Sequence, residues 1–423
     1  MNLVCNSNNT MRKIHVGIFF IFSLIYTSCK ENIELPFKDI PTEFKVLNKV
    51  VDNPEKYKVQ ILYTRIDRNE NNEPEFNEFS FSLDDGIYFY PASTVKLPVS
   101  ILALEWLNEQ RNNDLNKESI MLTDSVRPSQ IPAYYDSSSF NKQPSIAHYI
   151  KKILLVSDND AYNRLYELLG QDYINSKMKE KGMTHTIINH RLSMPMSEEE
   201  NRYFNPIHFE TTNGESILDL PERHTESVYA NNDNPVIGKS YYSGGELIQS
   251  PMDFTYKNKY SLSDLHGTIK RIIFPQKFIE EERFQIPEID RQFILKYMSM
   301  LPGESDYPHY SLPEYYDSYS KFFKFGTNKS PIPAQFRIFN KTGNAYGHLL
   351  DGSYFVDFDN GIEFFVSAVI YTNENEILND DSYEYDEIAF PFFTELGEYL
   401  YQLELNRKKN QKPDLTEFIL EYK

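Results

Sequence analysis

Ser93 and Lys96 stand three residues apart in the run Tyr90-Pro91-Ala92-Ser93-Thr94-Val95-Lys96-Leu97-Pro98, where an extended aromatic stretch gives way to a helical pattern. On a helix, positions i and i+3 share a face, so the lysine amine can reach the serine hydroxyl. Serine becomes a useful nucleophile when a neighbouring base takes its proton, and a partly desolvated lysine can be that base. The spacing alone is a weak signal, since it recurs at Ser139/Lys142, Ser176/Lys179 and Ser318/Lys321. Two more polar groupings follow in the chain. Ser157-Asp158-Asn159 separates two apolar helical runs, and Lys341-Thr342-Gly343 ends a strand-like alternation. Polar side chains at a junction between buried helices need partners or a ligand to face. Helix capping by Asp158 or Asp160 accounts for those two acids and leaves Ser157 and Asn159 without a role.

The elements that must position these groups are partly legible. Residues 57–66 are rich in β-branched and aromatic types and read as a strand, with 78–83 as its hairpin partner. Between them Asp67, Asn69, Asn71 and Glu78 occupy positions 1, 3, 5 and 12 of a calcium-loop pattern. Asn72 stands where that loop needs glycine and the flanks are strands, so a solvated hairpin tip is expected. Val99, Leu102, Ala103 and Trp106 recur at helical spacing and predict a buried helix after Ser93. A second helix from 144 runs into the Ser157 turn and restarts at Ala161, ending at Gly170. Further helices are predicted over 172–181, 263–274, 289–300 and 389–403, and strands over 186–189, 335–340, 354–358 and 362–371. From about 197 to 333 the periodicity is irregular, and the aromatic run 307–325 reads as a packed loop or recognition surface. The implied fold class is α+β, an α/β/α sandwich-like arrangement. An antiparallel sheet is assembled from both chain ends and flanked by helices, beside an all-helical lobe.

Composition narrows the partners. The 423-residue chain carries 43 basic and 62 acidic residues, a net charge of −19, which excludes nucleic acid as a natural partner. No His-Glu-x-x-His or paired-cysteine pattern calls for a metal, and no cofactor is implied. At the N-terminus, Arg12 and Lys13 precede an apolar run over 14–26 that is short for a membrane span. Thr27-Ser28-Cys29 follows, and the segment resembles a bacterial lipoprotein signal in which the cysteine becomes the lipidated first residue. The expected organisation is a signal over 1–28, a tether over 29–54 with a first helix near 44–51, and a catalytic domain over 55–404. That domain carries a long insertion at about 197–333 and is followed by a tail over 405–423. An ordinary cleaved secretory signal is the other reading of the leader, and Met11 is an alternative start. Cys5 and Cys29 are the only cysteines, so a processed chain has no disulfide.

Three motifs now stand in order: Ser93-x-x-Lys96, Ser157-Asp158-Asn159 and Lys341-Thr342-Gly343. In that order and context they resemble the motif set of penicillin-recognising serine enzymes, and the words around Ser93 and Ser157 look like class A β-lactamase-type hydrolases. The resemblance covers about 57–172 and 335–403. It implies the β-lactamase/transpeptidase-like fold and an acyl-enzyme reaction on a β-lactam or a peptidoglycan peptide. Ser93 would be acylated, Lys96 would help deprotonate it, and Ser157 would relay a proton to the leaving nitrogen with Lys341 close by. Lys341 and Thr342 would hold the substrate carboxylate, and Asn159 the substrate amide while steadying Lys96. Gly343 completes the third motif, and the N–H groups of Ser93 and Asn344 would form the oxyanion hole.

The resemblance also implies a loop glutamate that activates the deacylating water. Arg191-Leu192 resembles the start of that loop, but the corresponding place near Met196 has no acid. Glu198, Glu199 and Glu200 follow as candidates, or as a solvated acidic run. Three functions stay open: a lipid-anchored β-lactamase of the cell envelope, a peptidoglycan-directed peptidase or amidase, and a non-catalytic binding lipoprotein that retained the fold.

Overall fold

The computed structural model describes residues 36–422. The leader over 1–28, the lipidation site Cys29 and the first residues of the expected tether lie outside the described residues.

Five antiparallel strands form the central sheet: β1 (Gln60–Arg68), β2 (Pro74–Phe81), β3 (Phe336–Ala345), β4 (His348–Asp357) and β5 (Ile362–Tyr371). Their spatial order is β3-β4-β5-β1-β2, so the two chain ends meet where β1 pairs with β5, Tyr63 opposite Val366. Both faces of the sheet are covered, which is why β4 and β5 are buried along their whole length instead of alternating. Ile61, Tyr63, Phe364, Val366 and Ala368 point into one core, Leu62, Ile66, Phe365 and Val369 into the other.

The first core is closed by α1 (Lys45–Val51), followed by the single turn α2 (Pro54–Tyr57), and by the terminal helix α9 (Phe390–Asn406). The described part of the expected tether, 36–54, is therefore packed into the fold. Leu47 and Val50 are fully buried, and Glu395 of α9 accepts from the backbone N–H groups of Val46 and Leu47 at 2.8 Å each. Phe44 precedes α1 without a side-chain cap, so a carboxylate from another helix supplies the missing acceptor.

The second core joins the sheet to the helical lobe: α3 (Lys96–Glu109), α4 (Ile146–Val156), α5 (Asn159–Leu169) and α6 (Gln171–Glu180). Helix α3 is buried on every side from Lys96 to Trp106, more completely than a one-faced pattern predicts. Even Glu105 is buried, held by Lys181 at 2.8 Å.

The span 197–333 is not one inserted module. Its helix α7 (Leu262–Ile273) lies directly on the sheet, so close that a Cβ on Gly352 would meet Leu265 and Ile269 at 2.8 Å. Its strand Ile207–Glu210 pairs with Ile120–Thr123, which precedes α4, and α8 (Glu288–Ser299) packs near β3. Nor is 405–423 a free tail: Phe418 is 1% exposed and packs its ring on Phe274, Phe339 and Tyr354. Across the β1–β2 tip, Asp67 pairs with Arg407 at 2.6 Å and Glu78 with Lys270 at 2.9 Å, so the calcium-pattern carboxylates serve separate cations. No helix among the described residues is long and apolar enough to cross a membrane.

Candidate active site

Ser93 lies in a 3₁₀ turn, Ala92–Val95, that feeds α3, and Lys96 is the first residue of that helix. Thr94 closes the turn, its N–H and hydroxyl both donating to Pro91 O at 3.1 and 2.6 Å. Ala92 has φ +47°, a left-handed conformation that costs a residue with a Cβ on the order of 1–2 kcal/mol. The turn is held by buried Tyr90 before it and the fully buried Val95 and Leu97 after it. From here Lys96 Nζ donates to Ser93 Oγ at 2.9 Å. The other three spacings do not make this contact. Ser139 bonds to Asp136 O and Asn141, Ser318 to Asn328 O, and Lys142 to Ser137 O.

Between α4 and α5 the chain kinks at Ser157, which takes φ +62° as the C-cap of α4. Asp158 caps α5, accepting from Ala161 N at 2.8 Å, and Lys152 lies 3.6 Å from its other oxygen. The kink turns Ser157 and Asn159 inward onto Lys96. Lys96 Nζ donates to Asn159 Oδ1 at 2.7 Å, to Ser157 Oγ at 3.2 Å, and to the Ser157 carbonyl.

Strand β3 approaches from the other side. As the first strand in the sheet order it has one edge free of strand pairing, and it runs through the third motif, longer than the predicted 335–340. Lys341 Nζ donates to Ser157 Oγ at 2.9 Å and to Thr342 O at 2.8 Å. A Cβ on Gly343 would stand 2.9 Å from Ser93 N and 3.0 Å from Pro91 O, so only glycine lets the strand pass so near the serine turn. Thr342 is buried beside it, and Asn344 follows, exposed, at the strand end. The structure thus brings Ser93, Lys96, Ser157, Asn159 and Lys341 into one hydrogen-bonded chain, with Gly343 against the Ser93 backbone.

Burial governs the charges. Lys96 is fully buried, and its amine is pushed far below the ordinary lysine range by desolvation, then by the nearby Lys341 charge, with Asp158 opposing. Lys341 is pulled down to about 7, again chiefly by burial, with Asp351 opposing and Lys321 adding to the fall. Burial thus favours a neutral Lys96 on one side of Ser157, while Lys341 on the other can hold or release its proton near neutral pH.

No carboxylate is hydrogen-bonded to Ser93, Lys96 or Ser157 among the described residues. Glu198 pairs with Arg202 at 2.8 Å, Glu200 accepts from Ser197 N at 2.9 Å, and Glu199 is exposed. The residue that meets Asn159 from this loop is Ser193, whose Oγ accepts from Asn159 Nδ2 at 2.8 Å. Ser193 lies three residues before Met196 and has φ +54°. The loop is anchored directly before it: Arg191 bonds buried Glu167 at 2.9 Å, and Asn163 exchanges hydrogen bonds with the Leu192 backbone. Ser193 escaped sequence reasoning, although its place directly after Arg191-Leu192 was a usable signal. Cavities of about 550 and 690 Å³ elsewhere on the molecule include none of these side chains.

Comparison with known proteins adds a partial match. Residues 44–225, which include Ser93, Lys96, Ser157 and Asn159 and stop before Lys341, match the model of the Beta-lactamase enzyme family. No curated protein matches the chain. Similar solved structures include a β-lactamase from Desulfarculus baarsii DSM 2075, at 10% identity over 85% of this chain and 97% of that one, with a TM-score of 0.46. Another is from Sphaerobacter thermophilus DSM 20745, at 11% identity over 88% and 100%, with a TM-score of 0.47. A third is an ancestral class A β-lactamase, at 10% identity over 85% and 100%, with a TM-score of 0.45.

Proposed function

We propose, for a chain whose residues 44–225 match the Beta-lactamase enzyme family, that it is a serine hydrolase which opens β-lactams or related acyl-peptides through an ester on Ser93. The observation that carries this reading is the unbroken contact chain from Ser93 Oγ through Lys96 Nζ and Ser157 Oγ to Lys341 Nζ, with steps of 2.9, 3.2 and 2.9 Å.

In its neutral form Lys96 accepts the Ser93 proton across the 2.9 Å contact as Oγ attacks the substrate carbonyl carbon. Negative charge gathers on the carbonyl oxygen, where the N–H groups of Ser93 and Asn344 stabilise it. Ser157 then gives its proton to the leaving nitrogen as the C–N bond breaks, and is reprotonated by Lys96 or Lys341, both in contact with its Oγ. Charged Lys341, with Thr342, holds a substrate carboxylate. Asn159 orients Lys96, and its Nδ2 must leave Ser193 to meet a substrate amide. Deacylation returns a proton to Ser93 Oγ while water adds to the ester carbon. Among the described residues no carboxylate is hydrogen-bonded to Ser93, so Lys96 is the base at hand for that water and slow release of the acyl group is expected. This favours, as a second reading, a peptidase or amidase of cell-wall peptides over a fast β-lactamase.

A membrane-anchored setting, in the periplasm or on the outer membrane, follows from Thr27-Ser28-Cys29 and is tested by labelling with a radioactive fatty acid, lost in Cys29→Ala. The enzymatic reading is tested by incubating the protein with a chromogenic cephalosporin and a fluorescent penicillin beside Ser93→Ala. A covalent adduct absent from the variant is the expected result. Rapid turnover supports a β-lactamase, persistent labelling the peptidase reading, and labelling that survives Ser93→Ala removes the nucleophile assignment.

A further inference from the structure

Strand β3 carries Lys341 toward Ser157 on one face and a separate buried cluster on the other. Lys321, 1% exposed, donates to Asn340 Oδ1 and to Met298 O, each at 2.6 Å. Asn340 passes its Nδ2 to both oxygens of Asp351, at 2.9 and 3.1 Å, and to Ser320 O at 2.8 Å. Asp351, wholly buried on β4, also accepts from Phe322 N and Ser353 Oγ at 3.1 Å each. Bridged by one amide, an ammonium and a carboxylate thus sit in the core with their polar atoms satisfied.

Holding two charges there is costly, and well-packed apolar residues would serve stability as well or better. Its position suggests another use. Asn340 adjoins Lys341, Asp351 lies cross-strand from Thr342, and Gly352 next to it faces Lys341. Lys341 itself bonds only to Ser157 Oγ and Thr342 O and has no ion pair among the described residues. The charges around it are Asp351 on β4, Lys321 before β3 and Lys96 on α3, on which Asp158 at the α4–α5 kink acts in turn. Arg337 and Glu304 act in turn on Lys321.

We propose that Lys321 and Asp351, joined by Asn340, are positioning residues that hold Lys341 in place and set its charge from behind the strand. This rests on the reading of Lys341 as part of the acyl-transfer site and deepens it. Asp351 supplies the anion that favours a charged Lys341, and Lys321 divides that anion's effect. The two residues consequently act with opposite signs.

The test uses the full chain with isotope-labelled lysine side chains and no substrate. The Lys341 resonance is identified by its loss in Lys341→Met, and its titration is followed by NMR. In Asp351→Asn, Lys341 is expected to give up its proton about one pH unit lower, a tenfold change in its proton affinity. In Lys321→Met, Asp351 is left with Lys341 as its main counter-ion, and the titration moves upward. Should Asp351→Asn fail to fold, Ser353→Ala removes one donor to Asp351 and gives a smaller downward shift. An unchanged titration, or shifts of the same sign for Asp351 and Lys321, overturns the proposal. Because no acyl-enzyme is read, that outcome leaves the Ser93 assignment intact, whereas failure of penicillin labelling leaves this titration result standing.

Discussion

The Asn159 side-chain amide donates to Ser193 Oγ at 2.8 Å, while its oxygen accepts from Lys96 at 2.7 Å. Ser193 thus occupies the one loop position that reaches the Ser93–Lys96 pair through a single intermediary, and it carries a hydroxyl where a base would speed ester hydrolysis. Ser193→Glu is expected to shorten the lifetime of a penicilloyl adduct by about 100-fold, the low end of the usual range for a positioned general base. Release of fluorescent penicillin from labelled protein measures it. An unchanged lifetime, with labelling intact, would count against Ser193 facing the ester.

Lys96 is the proton acceptor nearest Ser93 Oγ. Replacing it by methionine, which fills much of the same buried space, is expected to slow acylation by about 10²- to 10⁴-fold without unfolding the protein. Stopped-flow labelling beside a thermal melt separates the two effects. Lys96→Arg is no rescue, because a guanidinium stays charged and cannot take the proton.

The lowered value of Lys341, about 7, gives the site a pH signature. Below it the amine is charged and holds a substrate carboxylate; above it that hold is lost, so KM for an anionic substrate rises by up to about tenfold per pH unit. An esterified substrate lacks this dependence. Stability runs in the opposite direction. The folded value lies below the unfolded one, so between about 7 and the ordinary 10.5 the unfolded chain binds more protons and this group adds stability as pH rises. Urea midpoints should climb less over that window in Lys341→Met than in the parent chain.

Gly343→Ala tests the contact between β3 and the serine turn. The added Cβ would stand 2.9 Å from Ser93 N, and backbone atoms cannot rotate away from it. A cost of about 1–3 kcal/mol in stability is expected. Displacing the nucleophile by the order of an ångström slows acylation about 100-fold. Denaturant midpoints and labelling rates on one preparation provide both readings.

At the far side of the sheet, Glu395→Ala should destabilise the protein by about 1–2 kcal/mol, since the Val46 and Leu47 N–H groups lose their acceptor. Acylation of Ser93 should be unchanged, because α1 touches none of the site residues. A shift in urea midpoint at constant slope is the measurement.

What was legible in the sequence was local. The apolar run over 362–371 matches β5 residue for residue, and the helical spacing after Ser93, the Ser157 kink and the Gly170 stop all reappear, because strand-forming runs, helical period and capping chemistry act over a few residues. The order of three short motifs was enough to single out Ser93 from four equivalent serine–lysine spacings. Tertiary structure decided what depends on contacts across the chain. Residues 36–54 look like a polar tether until Glu395, some 350 positions away, caps their helix. Spacing over 263–274 marked α7 within the irregular span, but only the fold shows it lying against β1, β4 and β5. Lys321 belonged to a spacing that suggested no chemistry, and only the fold brings Asn340 to its amine and, through the pairing of β3 with β4, Asp351 to Asn340. Likewise a serine at position 193 says nothing by itself. Folding of the Arg191–Leu192 anchor aims it at Asn159, so that this loop offers a hydroxyl and not a carboxylate there.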